Sequence, residues 1–167
     1  MMFPGTLHRD FQWEAEYATP HFGCHVEKNS SRYNDRITPE VFMRLLLIED
    51  DEAVAQVLAE AFGSQGHETI IRYTGEDGLA YLTSERPDAV VLDVRLPRLN
   101  GVAVLRQIRS TDLALPVIIL TGLATPGEVA ELHRLGVAEI IEKPEVLRHF
   151  KDALARIANR ERLQDAT

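Results

Sequence analysis

Cysteine is almost missing from this chain: Cys24 is the only one in 167 residues. A single thiol makes neither an internal disulfide nor a cysteine-rich metal site. Basic residues are also scarce, with 18 lysines and arginines against 26 aspartates and glutamates, a net charge of −8. A surface built to neutralise nucleic-acid phosphates needs the opposite balance, so direct nucleic-acid binding is not expected, though a small basic patch stays compatible. No apolar run approaches the length that spans a bilayer. The opening MMFPGTLHRDF has neither a basic leader nor an apolar signal core, so no membrane partner is expected and the expected location is cytoplasmic. Internal repeats and low-complexity tracts are lacking too. What remains is 45% hydrophobic and 26% charged, the mix of one globular domain able to bury its own core.

The chain changes character near Met43. Residues 1–43 hold Phe11, Trp13, Tyr17, Phe22 and Tyr33 without a sustained helix or strand period. Pro4, Pro20, Pro39 and the Asn29-Ser30-Ser31 stretch punctuate them. They read as an N-terminal extension, disordered or non-native, with Met43 placed where a translation start would fall. From Arg44 to about residue 160, apolar runs alternate with amphipathic segments, and residues 161–167 form a short tail. Strands are expected at 45–48, 69–73, 89–92, 117–120 and 139–141. Leu45 to Ile48, Ala89 to Leu92 and Val117 to Leu120 are continuous apolar runs, as in strands covered on both faces. Val54, Val57, Leu58, Ala61 and Phe62 follow helical spacing. Val129, Leu132 and Leu135 mark a helix stopped by Gly136, and Val146, Leu147, Phe150, Leu154 and Ile157 line a final helix. Five strands alternating with five helices imply an α/β fold with right-handed crossovers and a parallel sheet.

In such a sheet ligands bind beyond the carboxyl ends of the strands, so chemistry is sought just after each apolar run. There stand Glu49-Asp50-Asp51, then Asp93, Thr121 and Lys143-Pro144. Clustered carboxylates repel unless a cation joins them. Mg²⁺, a hard ion that accepts carboxylates, waters and phosphate oxygens, is the expected partner. A carboxylate can act as a nucleophile and carry a phosphoryl group, which assigns that role to Asp93. Such a transfer needs positioning and charge neutralisation, here from Lys143 as cation and Thr121 as hydrogen-bond donor.

These residues have plainer readings. The three acids could cap the first helix, Asp93 could be a turn residue, Lys143 a solvated charge and Thr121 an N-cap. His21, Cys24 and His25 have ligand-like spacing but lack a fourth ligand. His67, His133 and His149 read as surface residues.

The segments LLLIEDDEAV, AVVLDVRLPRLNG, VIILTG and EIIEKP, in this order over residues 44–160, resemble the receiver domain of two-component response regulators. The resemblance implies a flavodoxin-like (βα)5 three-layer sandwich with strand order 2-1-3-4-5. It implies a phosphoacceptor at Asp93, and metal ligation by Glu49, Asp50, Asp93 and the backbone carbonyl of Arg95, with Asp50 the more direct ligand of the acidic pair. It implies a switch pair at Thr121 and Ile140, where the family usually has an aromatic in place of the isoleucine. Lys143–Pro144 corresponds to a peptide commonly cis in the family. Arg95 and Leu123 fall where the family varies residues that set the lifetime of the phosphorylated state.

The implied donor is a sensor histidine kinase or histidine phosphotransfer protein, and the implied readout is a protein target docking on residues 125–160. Homodimer formation is left open. The protein is expected to be a phosphoacceptor switch and not an enzyme of steady turnover. A haloacid-dehalogenase-like phosphatase would want an acid where Arg95 stands. A receiver-like docking module that is not phosphorylated, or the receiver part of a longer DNA-binding regulator, stay open as alternatives.

Overall fold

The computed structural model describes residues 42–165. The extension up to residue 41, with His21, Cys24 and His25, lies outside the described residues. Five strands and five helices alternate: β1 Arg44–Ile48, α1 Glu52–Ser64, β2 Glu68–Arg72, α2 Gly75–Ser84, β3 Ala89–Asp93, α3 Gly101–Thr111, β4 Val117–Thr121, α4 Pro126–Arg134, β5 Glu139–Glu142 and α5 Val146–Asp165. All strand pairs are parallel, in the order β2-β1-β3-β4-β5. The expected order 2-1-3-4-5 is therefore the observed one.

Successive strand residues point to opposite faces, and each face has its own apolar layer. Leu45, Leu47, Val91, Ile118 and Leu120 pack with α1 and α5. Leu46, Ile48, Val90, Leu92, Val117 and Ile119 pack on the other side with α3 and Leu132 of α4. This double covering explains the unbroken apolar runs. Phe62 of α1 and Phe150 of α5 stack with ring centroids 3.7 Å apart and planes 17° from parallel, joining the two helices over the sheet. Met43 is buried in that layer, and its carbonyl accepts from Glu68 N at 3.0 Å.

Several local expectations are corrected. Val57 and Leu147, placed on apolar helix stripes from spacing, are exposed. The buried row of α1 is Ala55, Leu58 and Phe62, a narrower arc than the apolar stripe, because a flat sheet covers only part of a helix. Leu147 lies one residue round from buried Val146 and so turns away from the core. His67 is half-buried and not a surface residue. No cis peptide bond occurs among the described residues, so Lys143–Pro144 is trans. Lys143–Glu145 forms a single 3-10 turn, closed by Val146 N–H on the Lys143 carbonyl, that leads directly into α5. That helix runs on to Asp165, past residue 160.

Candidate functional site

The sheet order reverses at β1 and β3: the chain leaves β1 for β2 on one side and reaches β3 on the other. Parallel sheets open a crevice at such a point, and the residues at these strand ends are acidic. Glu49 follows β1 directly and is fully buried, its amide held by the Arg72 carbonyl at 3.1 Å. Asp93 ends β3 at 1% exposure, and Thr121 ends β4 at 5%. Lys143 opens the turn after β5.

Lys143 Nζ donates to Asp93 Oδ2 at 2.9 Å and to Glu49 Oε1 at 3.0 Å. It also lies 2.9 Å from Glu49 Oε2, but without hydrogen-bond geometry, so Oε2 keeps no directed partner. The other Asp93 oxygen, Oδ1, accepts from the Arg95 amide at 3.1 Å. Oxygen atoms of Glu49, Asp50 and Asp93 all lie within 4.8 Å of one another. Burial pushes the Glu49 carboxyl up; the Asp93 charge adds to this, against the lowering hydrogen bond from Lys143. Burial alone would lower Lys143, but its bonds to Glu49 and Asp93 outweigh it and its pKa is raised.

The three adjacent acids divide their work. Asp51 is the cap of α1, its Oδ1 accepting from Ala53 N at 2.9 Å and Val54 N at 3.0 Å. Glu49 turns into the site and exposed Asp50 stands at its rim. Thr121 is not an N-cap: α4 is capped by Thr125 in a capping box with Glu128. The Thr121 hydroxyl is instead buried without a hydrogen-bond partner. Ile140 sits half-buried against the α3-side apolar layer.

Three carboxylates face one ammonium, and two buried oxygens, Glu49 Oε2 and Thr121 Oγ1, lack a hydrogen-bond partner among the described residues. Buried polar atoms of this kind call for a ligand. Hard oxygen donors in excess of positive charge fit a divalent cation such as Mg²⁺. Gly101 presses on the same strand end. A Cβ there would stand 2.2 Å from the Asp93 carbonyl oxygen and 2.8 Å from Val94 Cα, so only glycine lets α3 start this close to Asp93.

One contact was not foreseen from sequence. The Arg95 side chain crosses to the loop after β4, donating to the Leu123 carbonyl and to both carboxylate oxygens of Glu128. The partners are 28 and 33 residues away, and no local pattern links them.

A doubly wound parallel sheet with buried acids and a lysine at its switch point is the frame of a flavodoxin-like α/β domain with an acidic site at its strand ends. The response regulator receiver domain family matches residues 45–155. The chain belongs to that family. It is 33% identical over 123 residues to the response regulator MprA of Mycobacterium ulcerans, covering 74% of this chain and 53% of that protein. MprA of Mycobacterium tuberculosis is 32% identical over 124 residues, with 74% and 54% covered. The chain thus spans about half the length of these relatives. Among solved structures, a response regulator receiver domain protein from Clostridium thermocellum superposes with TM-score 0.68 at 25% identity, covering 72% of this chain and 98% of that one. A CheY-like receiver domain protein from Methanospirillum hungatei shares the fold, with TM-score 0.69 at 23% identity over 73% and 98% of the two chains. No described helix is long and apolar enough to cross a membrane.

Proposed function

We propose that residues 44–160 act as a Mg²⁺-dependent phosphorylation switch in which Asp93 accepts the phosphoryl group. The observation that carries this reading is Lys143 Nζ, held 2.9 Å from Asp93 Oδ2 while also pairing buried Glu49. A nucleophilic carboxylate is thereby fixed beside a cation able to take a phosphoryl oxygen. Glu49, Asp50, Asp93 and the Arg95 backbone carbonyl would hold the metal. When bound, Mg²⁺ neutralises the acids and the incoming phosphoryl oxygens.

The donor class is a phosphohistidine of a sensor histidine kinase or histidine phosphotransfer protein. A new P–O bond forms to an Asp93 carboxylate oxygen as the donor's P–N bond breaks, and the electron pair stays on the imidazole, which takes up a proton. The Arg95 amide on Oδ1 and Lys143 on Oδ2 orient the carboxylate. The Thr121 hydroxyl, buried with no hydrogen-bond partner among the described residues, would bond a phosphoryl oxygen. Thr121 and Ile140 form the switch pair. The signal passes by protein contacts through residues 125–160, as a shift between pre-existing states.

Incubation with acetyl phosphate and Mg²⁺ tests the reading. One acid-stable, base-labile phosphoryl group is expected by intact mass, absent without Mg²⁺ and absent in Asp93→Asn. Wild type that binds Mg²⁺ yet gains no mass would favour a docking module without phosphorylation. Sustained hydrolysis of small phosphomonoesters would favour a phosphatase.

A further inference from the structure

Helix α4 is held to the domain mainly by polar contacts. Leu132 is its one buried residue, so little apolar surface fixes it, and three arginines from the α3 side take over. Arg109 donates to the Leu135 carbonyl at 2.9 Å and the Gly136 carbonyl at 3.0 Å, just past the helix. The same guanidinium bonds the carbonyls of Asp112 and Leu115 on its own side. Arg106 grips Glu131 Oε1 at 2.8 and 2.6 Å. At the opposite end stands Arg95, 3.1 Å from each Glu128 oxygen and bonded to the Leu123 carbonyl. The C-terminal end of α4 is thus pinned by a half-buried guanidinium, whereas its first turn depends on one that is about half exposed.

We propose that Arg95 is a partner-exchanging cation. A phosphoryl group on Asp93 draws its guanidinium away from Glu128 and Leu123, releasing the β4–α4 loop and the first turn of α4, while the far end of the helix stays pinned. This rests on the phosphoacceptor reading above. Arg95 leaves the backbone two residues after Asp93, and its own amide already bonds Asp93 Oδ1. Phosphorylation replaces a carboxylate by a group with a larger negative charge and three acceptor oxygens. A guanidinium matches such oxygens bidentately.

Its present partners hold it in a bidentate pair with Glu128 and on the Leu123 carbonyl, but the guanidinium is about half exposed, so solvent screens part of that hold. Glu128 also does not need Arg95 to stay satisfied: Oε2 accepts from Thr125 N at 2.8 Å and Thr125 Oγ1 at 2.9 Å. Ile140, packed among apolar side chains, has no polar group with which to answer a change of charge. Arg95 therefore gives the charge on Asp93 a polar route to α4 beside the Thr121–Ile140 pair.

Hydrogen exchange read on peptides covering 122–130 and 131–136, with intact mass taken from the same samples, tests the exchange of partners. Acetyl phosphate with Mg²⁺ is the probe. Phosphorylated wild type is expected to exchange about two- to fivefold faster over 122–130, the range for losing one partly screened ion pair, with 131–136 unchanged. Glu128→Gln keeps a capping-box acceptor and removes only the charge pair. It should exchange faster than wild type before phosphorylation, with Arg95 still on the Leu123 carbonyl, and reach the released rate once phosphorylated; a Glu128→Gln protein as protected as wild type overturns the proposal. Arg95→Gln should exchange at the released rate in its resting state. A phosphorylated wild type with unchanged or slower exchange over 122–130 overturns the proposal, as does an Arg95→Gln protein as protected as wild type. Wild type that gains no mass overturns the phosphoacceptor reading too, and the mass spectrum separates that failure from the first.

Discussion

At the scale of single residues, the site is a problem of crowded negative charge. Glu49, Asp50 and Asp93 approach within 4.8 Å, and among the described residues Lys143 is the cation that answers them. Asp50 contributes repulsion without a described partner; in the proposed reading its carboxylate would serve a bound cation and cost stability when none is present. Asp50→Asn is expected to raise the unfolding free energy in EDTA, by about 0.5–1 kcal/mol for one like-charge contact near the surface. Wild type should instead gain about 2.7 kcal/mol from Mg²⁺ at a hundred times its dissociation constant. The variant should lose most of that gain. Urea titrations with and without Mg²⁺ check both signs, and equal Mg²⁺ gains in the two proteins would remove Asp50 from the ligand set.

Among the elements, α4 buries one residue and carries ion pairs to Arg95 and Arg106, and that makes it sensitive to acid. Glu128 is lowered by the Thr125 backbone and hydroxyl bonds first and by Arg95 after them. Glu131 is lowered chiefly by Arg106. A carboxyl depressed in the folded state stabilises above its unfolded value, near 4.5, and loses that contribution as pH falls through the folded value. The difference in urea midpoint between wild type and Glu128→Gln should therefore be constant well above pH 4.5, shrink as the pH falls past it, and vanish only below the depressed folded value. A difference that persists in acid would show that the glutamine acts by shape and not by charge.

The capping residues Asp51, Thr74, Asn100 and Thr125 all follow the Ser/Thr/Asp/Asn preference. Helix starts were thus open to local rules, whereas burial on each helix depended on how much of it the sheet covers.

For the whole molecule, two apolar layers share one sheet, so neither can lose its packing without exposing the strands that the other needs. Phe62, stacked on Phe150, ties α1 and α5 into the first layer. Phe62→Ala is expected to cost about 3–5 kcal/mol, the range for deleting a fully buried aromatic. Urea unfolding followed by fluorescence and far-ultraviolet circular dichroism should show one shifted transition by both probes. Two separate transitions would mean that the layers unfold independently.

The alternation of apolar runs with helical stripes determined an α/β parallel sheet, because burial on two faces leaves an unbroken hydrophobic run in the sequence itself. The rule that ligands gather at strand ends was enough to single out Glu49, Asp50, Asp93, Thr121 and Lys143, which lie immediately after or at the end of such runs. Tertiary structure alone decided how the three adjacent acids divide their work, with Asp51 capping α1 and Glu49 turned inward to Lys143. It alone turned Val57 and Leu147 outward, made Gly101 a contact of the Asp93 backbone and joined Arg95 to Glu128. Periodicity and strand ends are properties of neighbouring residues. A choice of partner across 33 positions exists only once the chain is folded.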